Sequence, residues 1–167
     1  GVIIVDTLMG PFSAAMAFKD LRKHSDKPVK AIIYTHSHGD HIGGATAFAG
    51  DDEPDIYATE NFGSAEGVNE AVSPVKMRRN IRQFGRDLPT EERTNRGVAP
   101  ANTHDKDGGK GFLPPTIRIS ESGHRETIAG VDVEFHLAPG ETDDAMFIWL
   151  PEEEVLFAGD NFYHSFP

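Results

Sequence analysis

The chain has 167 residues, a formal net charge of −11, no cysteine and 38% hydrophobic residues. That is one domain's worth of globular sequence, long enough to bury roughly 70% of the surface its unfolded form exposes. The acidity argues against a nucleic-acid partner, which needs a basic footprint; the absent cysteines exclude disulfides and thiolate ligands; and no apolar run reaches the length of a membrane span.

Val2–Val5 is uniformly apolar and reads as a buried strand, closed by Asp6-Thr7. Met9-Gly10-Pro11 is a turn, and Pro11 suits the first turn of a helix. Ala14, Ala15, Phe18 and Leu21 then recur at helical spacing, which predicts a helix over Phe12–Lys23. His24 follows it as a solvated residue at a helix C-terminus, where positive charge is favoured. Val29–Thr35 is a second strand. A short helix is expected over Ile42–Phe48, an acidic turn with solvated carboxylates over Asp51-Asp52-Glu53-Pro54, and a third strand over Asp55–Ala58. This strand–helix alternation predicts an α/β layered domain.

Between the second strand and the short helix lies Thr35-His36-Ser37-His38-Gly39-Asp40-His41-Ile42-Gly43-Gly44. Four potential metal ligands fall within six positions. Imidazole and carboxylate form a donor set that zinc, iron and manganese accept. Residues two apart in extended backbone point the same way, so His36 and His38 can share one ion. Asp40 and His41 are adjacent and are better placed to serve a second ion beside the first. Two-metal sites hold their ions about 3.5–4 Å apart. A single histidine here would read as a solvated surface residue; four ligands in this pattern read as a metal site.

The segment 63–115 reads as an insertion. Within it Val68–Phe84 has a helical pattern, basic in its second half at Lys76, Arg78, Arg79, Arg82 and, just beyond, Arg86. A solvated helix face is the plainer account of these charges, and a patch meeting an anionic substrate is the alternative. Leu88–Gly111 is a long polar loop containing His104, a candidate for a role near the site. Strands are predicted at Thr116–Ile119, Arg125–Ile128, Val131–Leu137, Met146–Leu150 and Val155–Ala158. His136 falls on the polar face of its strand and is expected to be solvated. Two of these strands end in a carboxylate, Glu141 after Val131–Leu137 and Asp160 after Val155–Ala158. If both lie beside the second strand, Glu141 completes the His36/His38 ion and Asp160 sits between the two ions. Asp143 and Asp144 are alternatives to Glu141, or partners that orient a histidine N–H.

The run Thr35–Gly44 resembles the metal-binding signature of the metallo-β-lactamase superfamily. That resemblance implies an αββα sandwich with a binuclear site at one edge, here incomplete at both ends of the chain. Gly140-Glu141, where most branches carry histidine, the tail Phe157-Ala158-Gly159-Asp160-Asn161-Phe162-Tyr163-His164, and the insertion resemble the zinc-dependent alkylsulfatases (SDS hydrolases). The resemblance implies zinc held by His36, His38 and Glu141, a second zinc held by Asp40 and His41, and a bridging carboxylate at Asp160. Asp40 is also expected to orient the water the metals activate. A last histidine ligand and the sulfate-binding residues are expected beyond Pro167, with His164 no substitute, so the 167 residues alone should turn over weakly. The implied reaction is hydrolysis of an alkyl sulfate to an alcohol and inorganic sulfate, by a homodimer that is periplasmic or secreted. Another hydrolase of the same fold, or a metal-binding piece without activity, are the alternatives. Phe62, Phe84 and Phe112 read as core residues, with an apolar channel as their other possible use.

Overall fold

A computed structural model describes residues 1–64, 66–94 and 110–162, without the side chains of 66–71 and 90. His104 and His164 lie outside the described residues. In chain order the elements are β1 (Val2–Val5), α1 (Pro11–Leu21), β2 (Val29–Ile33), α2 (Gly39–Ile42), α3 (Ala45–Ala49), β3 (Asp55–Thr59), α4 (Glu66–Gln83), β4 (Ile117–Ile119), β5 (His124–Ile128), β6 (Val131–Leu137), β7 (Met146–Leu150) and β8 (Val155–Phe157).

β1 to β4 form a parallel sheet in sequence order, and β5 to β8 form an antiparallel meander. The side-chain period of two sorts each inner strand between two cores. Ile32 and Tyr34 join Ile4, Ile56 and Ala58 beneath Ala14 of α1 and Ala45, Phe48 and Ala49 of α3. Ala31 and Ile33 point the other way, with Tyr57 and Ile119, onto Val133, Phe135, Met146 and Ile148 of the second sheet. Three layers result: helices, parallel sheet, antiparallel sheet. Each fully buried Ile or Phe in these seams contributes about 1.5–3 kcal/mol. Phe62 and Phe112 stack against Tyr34 at centroid distances of 5.6 and 6.0 Å, so they serve the helix-side core.

Three local expectations need correction. The helix expected over Ile42–Phe48 is two shorter ones, broken at Gly43-Gly44. A Cβ on Gly43 would lie 2.0 Å from the Met9 carbonyl oxygen, and one on Gly44 2.2 Å from that of Thr7, so the loop after β1 presses on this break. Asp52 is not merely solvated: its Oδ2 accepts the Val29 N–H at 2.8 Å and faces Arg22 Nη2 at 3.3 Å, tying the turn before β3 to the start of β2. His136 is half-buried instead of solvated, because strand register places it opposite Phe147, on whose ring it stacks at 4.6 Å.

α4 carries Pro74 inside it, and its side chains from residue 72 to its end are exposed apart from Asn80. Arg78, Arg79 and Arg82 line an open groove of about 580 Å³ with Val75, Ile81 and Asp87, which is the solvated face expected of them. Among the described residues no helix is long and apolar enough to cross a membrane.

Candidate metal centre

The topology delivers the site loops to one edge. Parallel pairing sends the C-terminal ends of β1, β2 and β3 to the same side. In the meander β6 and β8 both run antiparallel to β7, so their ends share an edge as well. The Met146 N–H donates to the Thr35 carbonyl at 2.9 Å and stitches the two sheets together there. That edge of an α/β layer is where strand-end residues commonly converge on chemistry.

His36, His38, Glu141 and Asp160 each bring a donor atom into one cluster, all within 4.8 Å of one another. His38 Nδ1 lies 3.6 Å from Glu141 Oε1. Asp160 has a second neighbour: His41 Nε2 lies 3.4 Å from its Oδ2 and 3.8 Å from Asp40 Oδ2. All six residues singled out in the sequence therefore meet, four in one cluster and His41, with Asp40 beside it, against His36 and Asp160. Asp143 and Asp144 are not members of the cluster.

The donor set fits a metal on its own chemistry. Three imidazoles crowd together, with His36 centroids 4.7 Å from His38 and 4.1 Å from His41. Nε2 of His36 is buried and has no hydrogen-bond partner. An orphaned buried polar atom costs about 1–3 kcal/mol. A cation placed among the carboxylates would use that lone pair, and the N/O donor set suits zinc.

Sequence reasoning missed Asp6. It follows β1 as Asp160 follows β8, so the strand-end rule applied to it equally. Its φ of +58° is unusual for a non-glycine residue, and it turns the carboxylate into the site. Oδ1 accepts the Thr35 N–H at 2.8 Å, and Oδ2 accepts the Thr35 hydroxyl at 2.8 Å. Oδ2 also lies 2.8 Å from His41 Nδ1, which donates to it. Thr35 has spent its one hydrogen on Asp6, so at 3.1 Å it can only accept from His36 Nδ1. One carboxylate thereby fixes the tautomer of His36, leaving its Nε2 free to bind, and holds the Nδ1–H of His41 so that Nε2 is the nitrogen His41 turns to the site. Such partners orient ligands and tune their basicity.

The same groups set the histidine charges. Burial disfavours the imidazolium of His41, but its hydrogen bond to Asp6 and the charges of Asp6, Asp160 and Asp40 outweigh it and push its pKa up to about 9. His36 moves down, first through burial and then through repulsion by His41 and His38, against the pull of Asp160 and Asp6. The loop after β8 is seated by Gly159, at φ +54°, where a Cβ would lie 2.7 Å from Thr35 Oγ1. Asn161 Nδ2 donates to the Ala138 carbonyl at 2.7 Å and joins this loop to the one carrying Glu141.

With this geometry in hand, the comparisons with known proteins are unambiguous about class. Residues 1–166 match the family model of the metallo-beta-lactamase superfamily, and the chain belongs to that superfamily. Within it, the chain is 35% identical over 168 residues to a linear primary-alkylsulfatase of Pseudomonas sp. (strain ATCC 19151), covering 96% of the chain and 31% of the relative. It is 34% identical over 175 residues to the alkyl/aryl-sulfatase BDS1 of Saccharomyces cerevisiae (strain ATCC 204508 / S288c), covering 98% of the chain and 26% of the relative. Among solved structures, a double mutant of the sec-alkyl sulfatase PisA1 superposes with a TM-score of 0.73 at 27% identity, over 96% of this chain and 27% of that one. The chain thus spans between a quarter and a third of the length of these relatives.

Proposed function

We propose that this chain is the metal-holding part of a hydrolase that converts alkyl sulfate esters to alcohol and inorganic sulfate. The observation that carries the reading is the convergence of His36, His38, Glu141 and Asp160 within 4.8 Å, around the orphaned Nε2 of His36. The likeness to alkylsulfatases supplies the substrate class.

His36, His38 and Glu141 would hold one zinc, Asp40 and His41 a second, and Asp160 would face both. When bound, zinc in such a pair supplies Lewis acidity and a water acidified to near pH 7. The chain's own residues do the rest. Asp6, through Thr35, leaves Nε2 of His36 without a proton on the metal side, and directly it accepts from Nδ1 of His41, whose Nε2 proton would leave as a cation binds. Asp40, the most exposed carboxylate of the group, would orient water and accept its proton. Glu141 brings a negative charge that a histidine ligand would not, which lowers the net charge of the first site by one and favours release of an anionic product.

The test is an assay of the whole polypeptide containing this chain. Dodecyl sulfate is compared with a lactone, a thioester, a β-lactam and a phosphodiester, with sulfate release measured directly. Sulfate release should dominate. Fast opening of any other substrate, with no sulfate released, would sink the reading. The metal assignment has a separate test: metal analysis of the chain carrying His36→Ala with His38→Ala should show the loss of one equivalent, and unchanged stoichiometry would refute it.

A further inference from the structure

The two carboxylates of the four-residue cluster come from strands that are not neighbours. Glu141 lies in the loop after β6 and Asp160 in the loop after β8, and β7 separates those strands in the sheet. Ladder hydrogen bonds therefore do not set the distance between the two loops directly. A side-chain bond crosses the gap: Asn161 Nδ2 donates to the Ala138 carbonyl at 2.7 Å. Each end of it is joined to a carboxylate through local backbone bonds. Asn161 follows Asp160 in a short helical turn, and its N–H returns to the Ala158 carbonyl at 3.2 Å. Ala138 opens a loop that its own N–H closes on the Ala145 carbonyl at 3.0 Å, with the Gly140 N–H on the Thr142 carbonyl at 3.1 Å. Gly140 shows how closely the two loops meet. Its backbone lies outside the left-handed region, so nothing in its own conformation calls for glycine. A Cβ there would instead overlap Asn161 Oδ1 and lie 2.8 Å from Asn161 Cγ.

We propose that Asn161 is a positioning residue: it sets the spacing of Asp160 and Glu141 by clamping the loop after β8 to the loop after β6, and Gly140 is the residue that lets the clamp close. An amide suits this task where a carboxylate does not, because only the amide offers an N–H to a carbonyl. The clamp also stands apart from the core. Asn161 is exposed, and it lines an open cavity of about 610 Å³ with Ala138, Pro139, Gly140, Glu141 and Asp160. Loosening it leaves both hydrophobic cores packed and the Asp6 bonds in place, so its effect is confined to the approach of these two carboxylates. The spacing claim concerns the metal-free fold; its consequence for zinc affinity rests on the metal-holding reading above.

The experiment uses the 167-residue chain as Asn161→Ala, Gly140→Ala and the double variant. Thr116→Val is the control, since it removes a hydrogen bond to the Ile56 N–H near the start of β3. Three quantities are measured: amide hydrogen exchange of the metal-free protein at Ala138 and Ala145, whose N–H groups close the Glu141 loop; zinc competition against a chromophoric chelator; and the urea midpoint. Asn161→Ala should speed exchange at both amides about 2–10-fold, the range one hydrogen bond supplies. It should weaken zinc binding about 10–100-fold, as loss of ligand-supporting partners does, and leave the urea midpoint close to that of the unaltered chain. Gly140→Ala should do the same, because its methyl displaces the Asn161 side chain, and the double variant should be no worse than either single one. Thr116→Val should lower the urea midpoint and leave the loop exchange and zinc affinity alone. Unchanged exchange at Ala138 and Ala145 in Asn161→Ala overturns the proposal whatever zinc does, and so do single effects that add in the double variant. A urea midpoint that falls in step with zinc affinity overturns it too, by making Asn161 a structural residue only. If Asn161→Ala does not fold, Gly140→Ala decides by the same readouts. Should the unaltered chain bind no zinc, the metal reading fails while the exchange result still decides this one.

Discussion

Five of the six converging residues divide into an inner pair and an outer trio that differ in exposure and in what they are tied to. His36 is 1% exposed and His41 has 14% of its side chain exposed, and both are tied to Asp6. Asp40 has 54% of its side chain exposed; it shares that openness with His38 and Glu141. The inner imidazoles are oriented before any ion arrives, because a half-buried carboxylate at an unusual backbone angle holds Nδ1 of His41 directly and that of His36 through Thr35. The outer donors lie at the rim, Asp40 in the first turn of the short helix α2 and His38 and Glu141 on loops. Within one site, rigidity and accessibility have been assigned to different residues.

Removing the inner support should do the most damage. Asp6→Ala leaves the Thr35 N–H, the Thr35 hydroxyl and His41 Nδ1 without their acceptor, and breaking a buried charged contact of this kind costs about 3–5 kcal/mol. Urea unfolding of the metal-free chain measures it. A loss below 1 kcal/mol would show that the inner group is not preset. Next in size is Gly159→Ala, which meets Thr35 Oγ1 at a backbone angle that favours glycine; about 1–3 kcal/mol of destabilisation is expected by the same assay.

A pH series sharpens the comparison further. His41 titrates near 6.5 when unfolded and near 9 in the fold. A raised folded value gives stability that is complete below about pH 6.5 and is lost as pH climbs through 9. Unfolding free energy of the chelator-stripped chain should therefore fall over that window, and Asp6→Asn should flatten the fall. A profile in the unaltered chain that is level from pH 6.5 to 9 would contradict the Asp6–His41 account. The smallest stability effect belongs to the outer group: Asp40→Ala should change unfolding by no more than about 0.5 kcal/mol, as exposed substitutions do. It should still lower metal content by up to one equivalent. A large loss of stability there would erase the distinction between the two groups.

Much of this was legible before any coordinates. Strands such as Val131–Leu137 announce themselves by local periodicity, and the donor pattern from His36 to His41 lies within six consecutive positions. Glu141 and Asp160 could be placed because each lies in the short loop that follows a strand. What escaped depends on partners far off in sequence. Asp6 looks like any turn acid until Thr35 and His41 are brought beside it, 29 and 35 residues away. Asp52 looks solvated until the Val29 N–H, 23 residues back, needs an acceptor. The break at Gly43-Gly44 is imposed by carbonyls of Met9 and Thr7, so helical pattern alone runs straight through it. His136 sits on a polar face, but the register with β7 supplies Phe147 as a surface to bury it against.

The central claim is that His36, His38, Glu141 and Asp160 close around a cation. The most direct measurement is an anomalous-difference map from crystals of the chain grown with zinc. The account predicts a peak within bonding distance, about 2.0–2.2 Å, of His36 Nε2, His38 and Glu141, with Asp160 turned toward it. A map with no peak there, or with zinc bound only elsewhere while Nε2 of His36 stays unpartnered, would contradict it.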